Sequence, residues 1–265
     1  MLIVGTSGWQ YRDWKGLFYP RGADELPYYA AGFASVELNN PFYRLPSKDT
    51  FQQWASQVPG DFVFAVKMSR YLTHIKRLRD PAEPVERFLR HAEGLGDKLG
   101  PVLLQLPPTL PFDKEALHAV LSEFPRSVRV AVEPRHESWW SSVARWVLEK
   151  HDAALCWPDR LGHPLSPLWR TAGFGYVRFH EGRANPRPRY GRTSLSSWLD
   201  RIESAFPEAP VYTYFNNDPG GAALHDAVAF AHAAERRGLD VTRVPESMTL
   251  STSSPGRSVG RDFGP

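Results

Sequence analysis

Glu133, Arg135 and His136 stand within four positions of one another, directly after the run Val128-Arg129-Val130-Ala131-Val132. A carboxylate, a guanidinium and an imidazole so close together can move protons and hold an anion. The apolar run before them suits a strand covered on both faces, as in a parallel sheet. Charge arriving that abruptly marks a strand end that opens into a cleft. Glu133 and Glu37 are the candidate general acid and base. Beside apolar strand residues desolvation favours the neutral carboxyl, and neighbouring cations oppose that shift. The competing expectation is that one or both carboxylates are paired with Arg135 or Arg178 and only hold the mouth together. His136 and His180 are further proton carriers, and His74, after Lys67-Met68-Ser69-Arg70, is another on a loop.

The same pattern recurs at other strand ends. Lys67, Arg70, Arg135 and Arg178 would surround one mouth with cations, and arginine can bind a phosphate or carboxylate through two nitrogens. The loop Glu181 to Thr193 adds Arg183, Arg187, Arg189 and Arg192, which are expected to be solvated. Asn39, Gln105, Asn216 and Asn217 could orient hydroxyls, and Trp9, Trp139 and Trp157 could stack on a sugar or nucleobase. The leading expectation is an enzyme that acts on a small anionic, phosphate-bearing substrate by acid–base chemistry. No cofactor is expected. The alternative is a divalent-metal phosphodiesterase with Glu37, Glu133, His180 and Asp159 as ligands, although no tight His-x-His spacing is present. A third reading is a non-catalytic module that binds nucleic acid or a partner through the Arg-rich loop. Cys156 has no basic neighbour to make it a thiolate and is expected to be structural. Asp218 before Pro219 is expected to cap a helix.

These residues need elements to position them. Short apolar runs begin near Leu2, Ser35, Phe62, Pro101, Val128, Ala153, Phe174 and Val211, with helical periodicity between them. Ser47 and Asp113 begin two of these helices. Val143, Trp146 and Val147 mark the buried face of the fifth, and Pro164, Pro167 and Gly173 leave the sixth only a short turn. Eight strand–helix units predict a single α/β domain, a TIM-type (β/α)8 barrel over residues 1–245, with catalytic groups at the carboxyl ends of its strands. Residues 246–265, rich in Ser, Thr, Gly, Pro and Arg, are expected to be a disordered tail.

The 265-residue chain carries a formal charge of +3, so any attraction to polyanions must be local. A single cysteine excludes an internal disulfide and suits a reducing compartment. Met1-Leu2-Ile3-Val4 reads as a strand rather than a leader, and no long apolar run is present. A cytoplasmic location away from the membrane is therefore expected.

Several strings together resemble one family: Gly5-Thr6-Ser7-Gly8-Trp9-Gln10-Tyr11, Glu37-Leu38-Asn39 with Phe42-Tyr43, Val66-Lys67 with Arg70 and Thr73-His74, Leu104-Gln105-Leu106-Pro107-Pro108, Val132-Glu133 with Arg135-His136, Tyr176-Val177-Arg178-Phe179-His180, and Tyr214-Phe215-Asn216-Asn217-Asp218. In this combination and order the chain is similar to the YecE-like family, domain of unknown function 72. The resemblance implies a TIM-type barrel whose shared polar residues meet at one mouth, and it adds Tyr43 to the expected binding set. It implies no particular reaction. Pro41 and Pro134 depart from the family's pattern.

Overall fold

The structure, a computed structural model, describes residues 1–246; the tail expected beyond that point lies outside the described residues. Ten strands form one sheet: β1 (Leu2–Ser7), β2 (Ser35–Leu38), β3 (Val63–Lys67), β4 (Leu99–Gln105), β5 (Val130–Glu133), β6 (Ala154–Leu155), β7 (Trp157–Arg160), β8 (His163–Pro164), β9 (Gly175–Phe179) and β10 (Val211–Phe215). Their order is β6-β5-β4-β3-β2-β1-β10-β9-β7-β8. Every ladder is parallel except the short β7–β8 hairpin. The fold is mixed α/β with a curled sheet, and the eight expected apolar runs all contribute strands.

The ladder does not close into a ring, which corrects the expectation of a closed barrel. β6 pairs with β5, whereas β7 pairs with β9. The chain changes partner at Cys156, whose N–H still donates to the Val132 carbonyl at 2.8 Å. Pro158 then brings no N–H to the next ladder. Parallel strands need long crossovers, and helices supply most of them: α1 (Glu25–Gly32), α2 (Asn40–Tyr43), α3 (Lys48–Ser56), α4 (Ala82–Ala92), α5 (Lys114–Ser122), α6 (Ser142–Lys150), α7 (Arg192–Ala205) and α8 (Ala222–Glu235). Ser47 and Asp113 cap α3 and α5, accepting from the amides of Thr50 and Ala116. Pro41 lies in the first turn of α2, where a missing N–H is harmless. Between β8 and β9 no helix forms, as the prolines there foretold.

Helix α6 differs from its expected face. Ala144, Val147 and Leu148 are buried, whereas Val143 and Trp146 are about half exposed. The Lys114 and Lys150 ammonium groups lie over the outward Trp146 ring, so this aromatic serves a surface cation–π role.

Two apolar clusters sandwich the sheet. The larger lies between sheet and helices and contains Trp14, Trp157 and Trp198. The smaller fills the inside of the curl with Ile3, Ala65, Leu103, Ala131, Ala154 and Cys156 beneath Tyr176 and Tyr214. Because strand side chains alternate, the next inward positions after Ala65, Leu103, Ala131 and Tyr176 are Lys67, Gln105, Glu133 and Arg178. The small interior residues leave room for a long side chain to cross. Gly5 is part of the same economy of space: a Cβ there would lie 2.2 Å from the Ser35 carbonyl oxygen, so β1 and β2 could not approach as they do.

Candidate functional site at the carboxyl ends of the strands

Parallel pairing sets the first contacts. Ser7 is in register with Glu37 on the neighbouring strand, and Gln105 with Glu133. Ser7 Oγ donates to Glu37 Oε1 at 2.7 Å, and Gln105 Nε2 donates to Glu133 Oε1 at 3.1 Å. From across the curl, Arg178 supplies all of its contacts to these two carboxylates. Nη2 and Nε donate to Glu37 at 2.7 and 3.0 Å, and Nη1 donates to Glu133 at 2.6 Å. Tyr176, two residues earlier on the same face, donates its hydroxyl to Glu37 Oε2 at 2.7 Å. Glu37, Glu133 and Arg178 are all at most 1% exposed.

Burial alone would raise both carboxyl pKa values. The Arg178 guanidinium outweighs it: with help from Tyr176 and Ser7 it holds Glu37 below the usual glutamate range, and with His180 and Arg135 it holds Glu133 well below. Both carboxylates are therefore ionised at neutral pH. For Glu37 the pairing alternative raised by the sequence is the observed one, and its acid–base role is corrected to that of an anchor for Arg178. A buried charge pair of this kind needs every partner to be satisfied.

Glu133 differs because its Oε1 points toward the opening. It accepts from Arg135 Nε and Nη2 at 3.3 and 3.1 Å, and it lies 3.2 Å from His180 Nε2. Asn216 Nδ2 lies 3.1 Å from His180 Nδ1. One imidazole tautomer, protonated at Nε2, satisfies both contacts. The Arg135 side chain is 42% exposed. Lys67 ends β3 with its ammonium 4.0 Å from the centre of the Phe42 ring. Burial, then the neighbouring Arg178, pushes Lys67 down to about 8. His74 lies on a single wide turn, Tyr71–Ile75, with Nδ1 2.9 Å from Thr73 Oγ1. Burial lowers it, as does the charge of Lys67, Arg70 and Arg135. Arg70 is exposed.

Other expected residues stand elsewhere. His136 is an N-cap: its Nδ1 accepts from the Ser138 amide at 3.2 Å and lies 2.8 Å from Ser138 Oγ. That local loop keeps it out of the Glu133 network, correcting its proton-carrier role. Trp9 and Trp139 are 3% and 2% exposed and are corrected from stacking platforms to packing residues. Trp9 meets Trp54 edge to face, and Trp139 donates to the Leu110 carbonyl at 2.9 Å. Trp157 is likewise buried and donates to the Trp169 carbonyl. Asn217 is 1% exposed and donates to Asp226 Oδ2 at 2.7 Å and to the Pro188 carbonyl at 2.9 Å, so it pins a loop rather than a ligand. Asp218 is at the expected cap position but makes no side-chain cap; instead it accepts from Trp14 Nε1 at 2.6 Å. Tyr43 is 73% exposed, with its ring edge to face on Phe42. Asn39 borders a hollow of about 100 Å³ between Ser7–Tyr11 and Leu38–Asn40, and its buried Oδ1 has no hydrogen-bond partner among the described residues. Larger hollows lie away from this network, one of about 530 Å³ beside Phe112 and Trp139.

The metal alternative loses its ligand set. Arg178 occupies the space between Glu37 and Glu133, and Asp159 faces away, accepting from Trp198 Nε1 at 2.8 Å and from the Gly162 amide at 3.1 Å. Among the described residues no group of three His, Cys, Asp or Glu side chains could hold a metal ion. In the Arg-rich loop, Arg183 donates to the Leu161 carbonyl and Arg189 pairs with buried Asp226. Cys156 is buried with its thiol pushed well up by desolvation and Glu133, in keeping with a structural role.

Tyr176 is the part of this network that residue types alone did not single out; Ser7 stands at a strand end, but its partner could not be read there. The usable signal was two-residue spacing: Tyr176 shares a face with Arg178, and Ser7 pairs with Glu37 once β1 and β2 are neighbours.

The family profile described as "Protein of unknown function DUF72" matches residues 3–249. The UPF0759 protein YunF of Bacillus subtilis (strain 168) is 25% identical, over 84% of this chain and 91% of that one. A crystal structure of a DUF72 family protein from Thermotoga maritima MSB8 is 30% identical with a TM-score of 0.75, covering 89% of this chain and 99% of that one. Another, from Enterococcus faecalis V583, shares the fold at 20% identity and a TM-score of 0.75, covering 93% of this chain and 99% of that one. The chain belongs to the DUF72 family.

Proposed function

We propose that this DUF72 protein is an enzyme that binds a small anionic substrate at the carboxyl-end mouth of its sheet and moves a proton with His180. The observation that carries this reading is the surplus of positive charge around Glu133. Arg178 is consumed by the two buried carboxylates, whereas Arg135, which holds Glu133 through Nε and Nη2, keeps its Nη1 edge on a side chain 42% exposed, and Lys67 makes no ion pair among the described residues. His74 feels the charge of Lys67, Arg70 and Arg135. An anion entering there would meet Arg135 in two-pronged geometry, with Lys67 and Arg70 adding charge. Asn39 has an acceptor to offer a substrate hydroxyl.

Glu133 orients His180 through Nε2, which leaves Nδ1 as the basic nitrogen. A substrate hydroxyl or C–H would take the place of the Asn216 amide there. A positioned imidazole of this kind supplies general base and then general acid catalysis. Gln105 and Arg135 keep Glu133 in place while the proton moves. We also read the curled sheet as an open relative of the TIM-type barrel, a reading supported by its parallel ladders and by the helices that follow most of its strands. A cytoplasmic location suits the single buried thiol, and no helix among the described residues is long and apolar enough to cross a membrane.

The test is calorimetric titration with inorganic phosphate and a panel of sugar phosphates, followed by turnover assays on whatever binds. Loss of a charge-assisted bond in Arg135→Ala should weaken phosphate binding about tenfold or more. His180→Asn should remove turnover with little change in affinity. Phosphate binding that ignores Arg135→Ala would sink the assignment.

A further inference from the structure

We infer that Lys67 is a nucleophile that captures the carbonyl carbon of an anionic substrate as an imine, an assignment that rests on the mouth being the anion site proposed above. The substrate class is then a small aldehyde or ketone bearing a carboxylate or phosphate.

Lys67 is set apart from the other lysines by its surroundings. Lys15, Lys48 and Lys76 form ion pairs with Glu25, Glu93 and Asp80. Lys98 donates to the carbonyls of Ala55 and Val58. Lys114 and Lys150 lie over the exposed Trp146. Lys67 alone is both buried, at 9% exposure, and held only against an aromatic ring, with no hydrogen bond or ion pair among the described residues. Two ionised carboxylates are close by, yet Arg178 occupies them. The two carboxylates still draw the ammonium form, but without a direct contact to Lys67 they do not offset its burial and the charge of Arg178. Desolvation and the neighbouring guanidinium bring it to about 8, so a useful fraction is neutral near physiological pH. Arg135 and Arg70 meanwhile attract the substrate's anionic group and leave its carbonyl beside Nζ.

The step balances without an oxidant or reductant. The Nζ lone pair forms a C–N bond as the carbonyl π pair moves onto oxygen. One nitrogen proton passes to that oxygen, with His74 or water as carrier, and yields the carbinolamine. The hydroxyl then takes a second proton, supplied by solvent, and leaves as water as the nitrogen lone pair forms the C=N bond of the iminium and the C–O bond breaks. Hydrolysis reverses these events and returns the lysine. The iminium withdraws electrons from the adjacent carbon, so His180 could remove or return a proton there.

The experiment uses the full chain incubated separately with pyruvate, glyoxylate and dihydroxyacetone phosphate in the presence of sodium borohydride, then peptide mapping by mass spectrometry. A reduced adduct should appear on Lys67 about tenfold or more faster than on any other lysine. Its rate should level off above about pH 8, and excess inorganic phosphate should block it. Lys67→Arg, which keeps the charge, and Lys67→Met should both lack it. Adducts spread evenly over surface lysines, or surviving in Lys67→Met, would overturn the assignment. No adduct with any of the three probes while phosphate still binds would remove the role of Lys67 and leave the anion site standing. Loss of phosphate binding as well would remove both.

Discussion

Arg178 grips Glu37 with two nitrogens, Nη2 at 2.7 Å and Nε at 3.0 Å, across 141 positions of sequence. Its third nitrogen is committed to Glu133. One guanidinium therefore spans from β9 to both β2 and β5 and holds the mouth of the curled sheet in shape. It also decides the charge state: with its guanidinium between them both carboxylates stay ionised, which under the proposed function leaves proton transfer to the imidazole that Glu133 orients.

Replacing Arg178 by Met should leave two buried carboxylates uncompensated. Breaking a buried pair in this way costs about 3–5 kcal/mol, read as a lower midpoint in urea unfolding. Arg178→Lys keeps the charge but not the fork, and should fall between the two. Wild-type stability in Arg178→Met would mean that the network carries no structural weight.

The carboxylates give acid sensitivity a definite sign. Both folded-state values lie below the usual glutamate value of 4.5, so below that pH the unfolded chain binds protons first. Their contribution is complete above this range and is lost as the pH falls through the folded values. Glu37→Gln should be destabilised at pH 7, and its deficit should shrink in acid. Thermal unfolding at pH 7, 4 and 3 measures it, and a deficit that grows in acid would contradict the ionised assignment.

Asp218 has the opposite sign. Burial raises it from 3.8 to about 6 while it accepts from Trp14 Nε1. Its stabilising contribution is complete below the unfolded value and is lost as the pH rises through about 6. Asp218→Asn keeps an acceptor for Trp14 and avoids the buried charge. It should gain on wild type between pH 4 and pH 7, which paired melting curves at the two values would reveal.

Asn216 should set the His180 tautomer. Nitrogen-15 shifts of the imidazole should report the Nε2-protonated form in the wild type, because Nδ1 accepts the Asn216 amide. Asn216→Asp replaces that donor with an acceptor and should shift the ring toward Nδ1 protonation. Unchanged nitrogen shifts would show that Asn216 does not position the ring.

The elements were legible because their signals are local. Short apolar runs marked all eight strand units, period-3.6 stripes marked most helices, and Ser47 and Asp113 announced their own caps. The strand-end positions of Glu37, Lys67, Gln105, Glu133, Arg178, His180 and Asn216 followed from the same reading. The cap made by His136 to Ser138 was also local, and a histidine two residues before a serine at a helix start was its available sign.

Tertiary structure decided direction and partnership. Trp9, Trp139, Trp157, Asn217 and Asp159 also stand near strand ends, yet their side chains pack away from the Glu133 network, and only the assembled layers distinguish the two sides. Which cation neutralises Glu37 depends on a residue 141 positions away, so its ionisation could not be read from its neighbours in sequence. The partner change at Cys156 depended on where β5 and β9 lie. Residue type and period determined which groups stand at the strand ends; the tertiary structure, by bringing Arg178 between Glu37 and Glu133 in a low-dielectric interior, determined their charge.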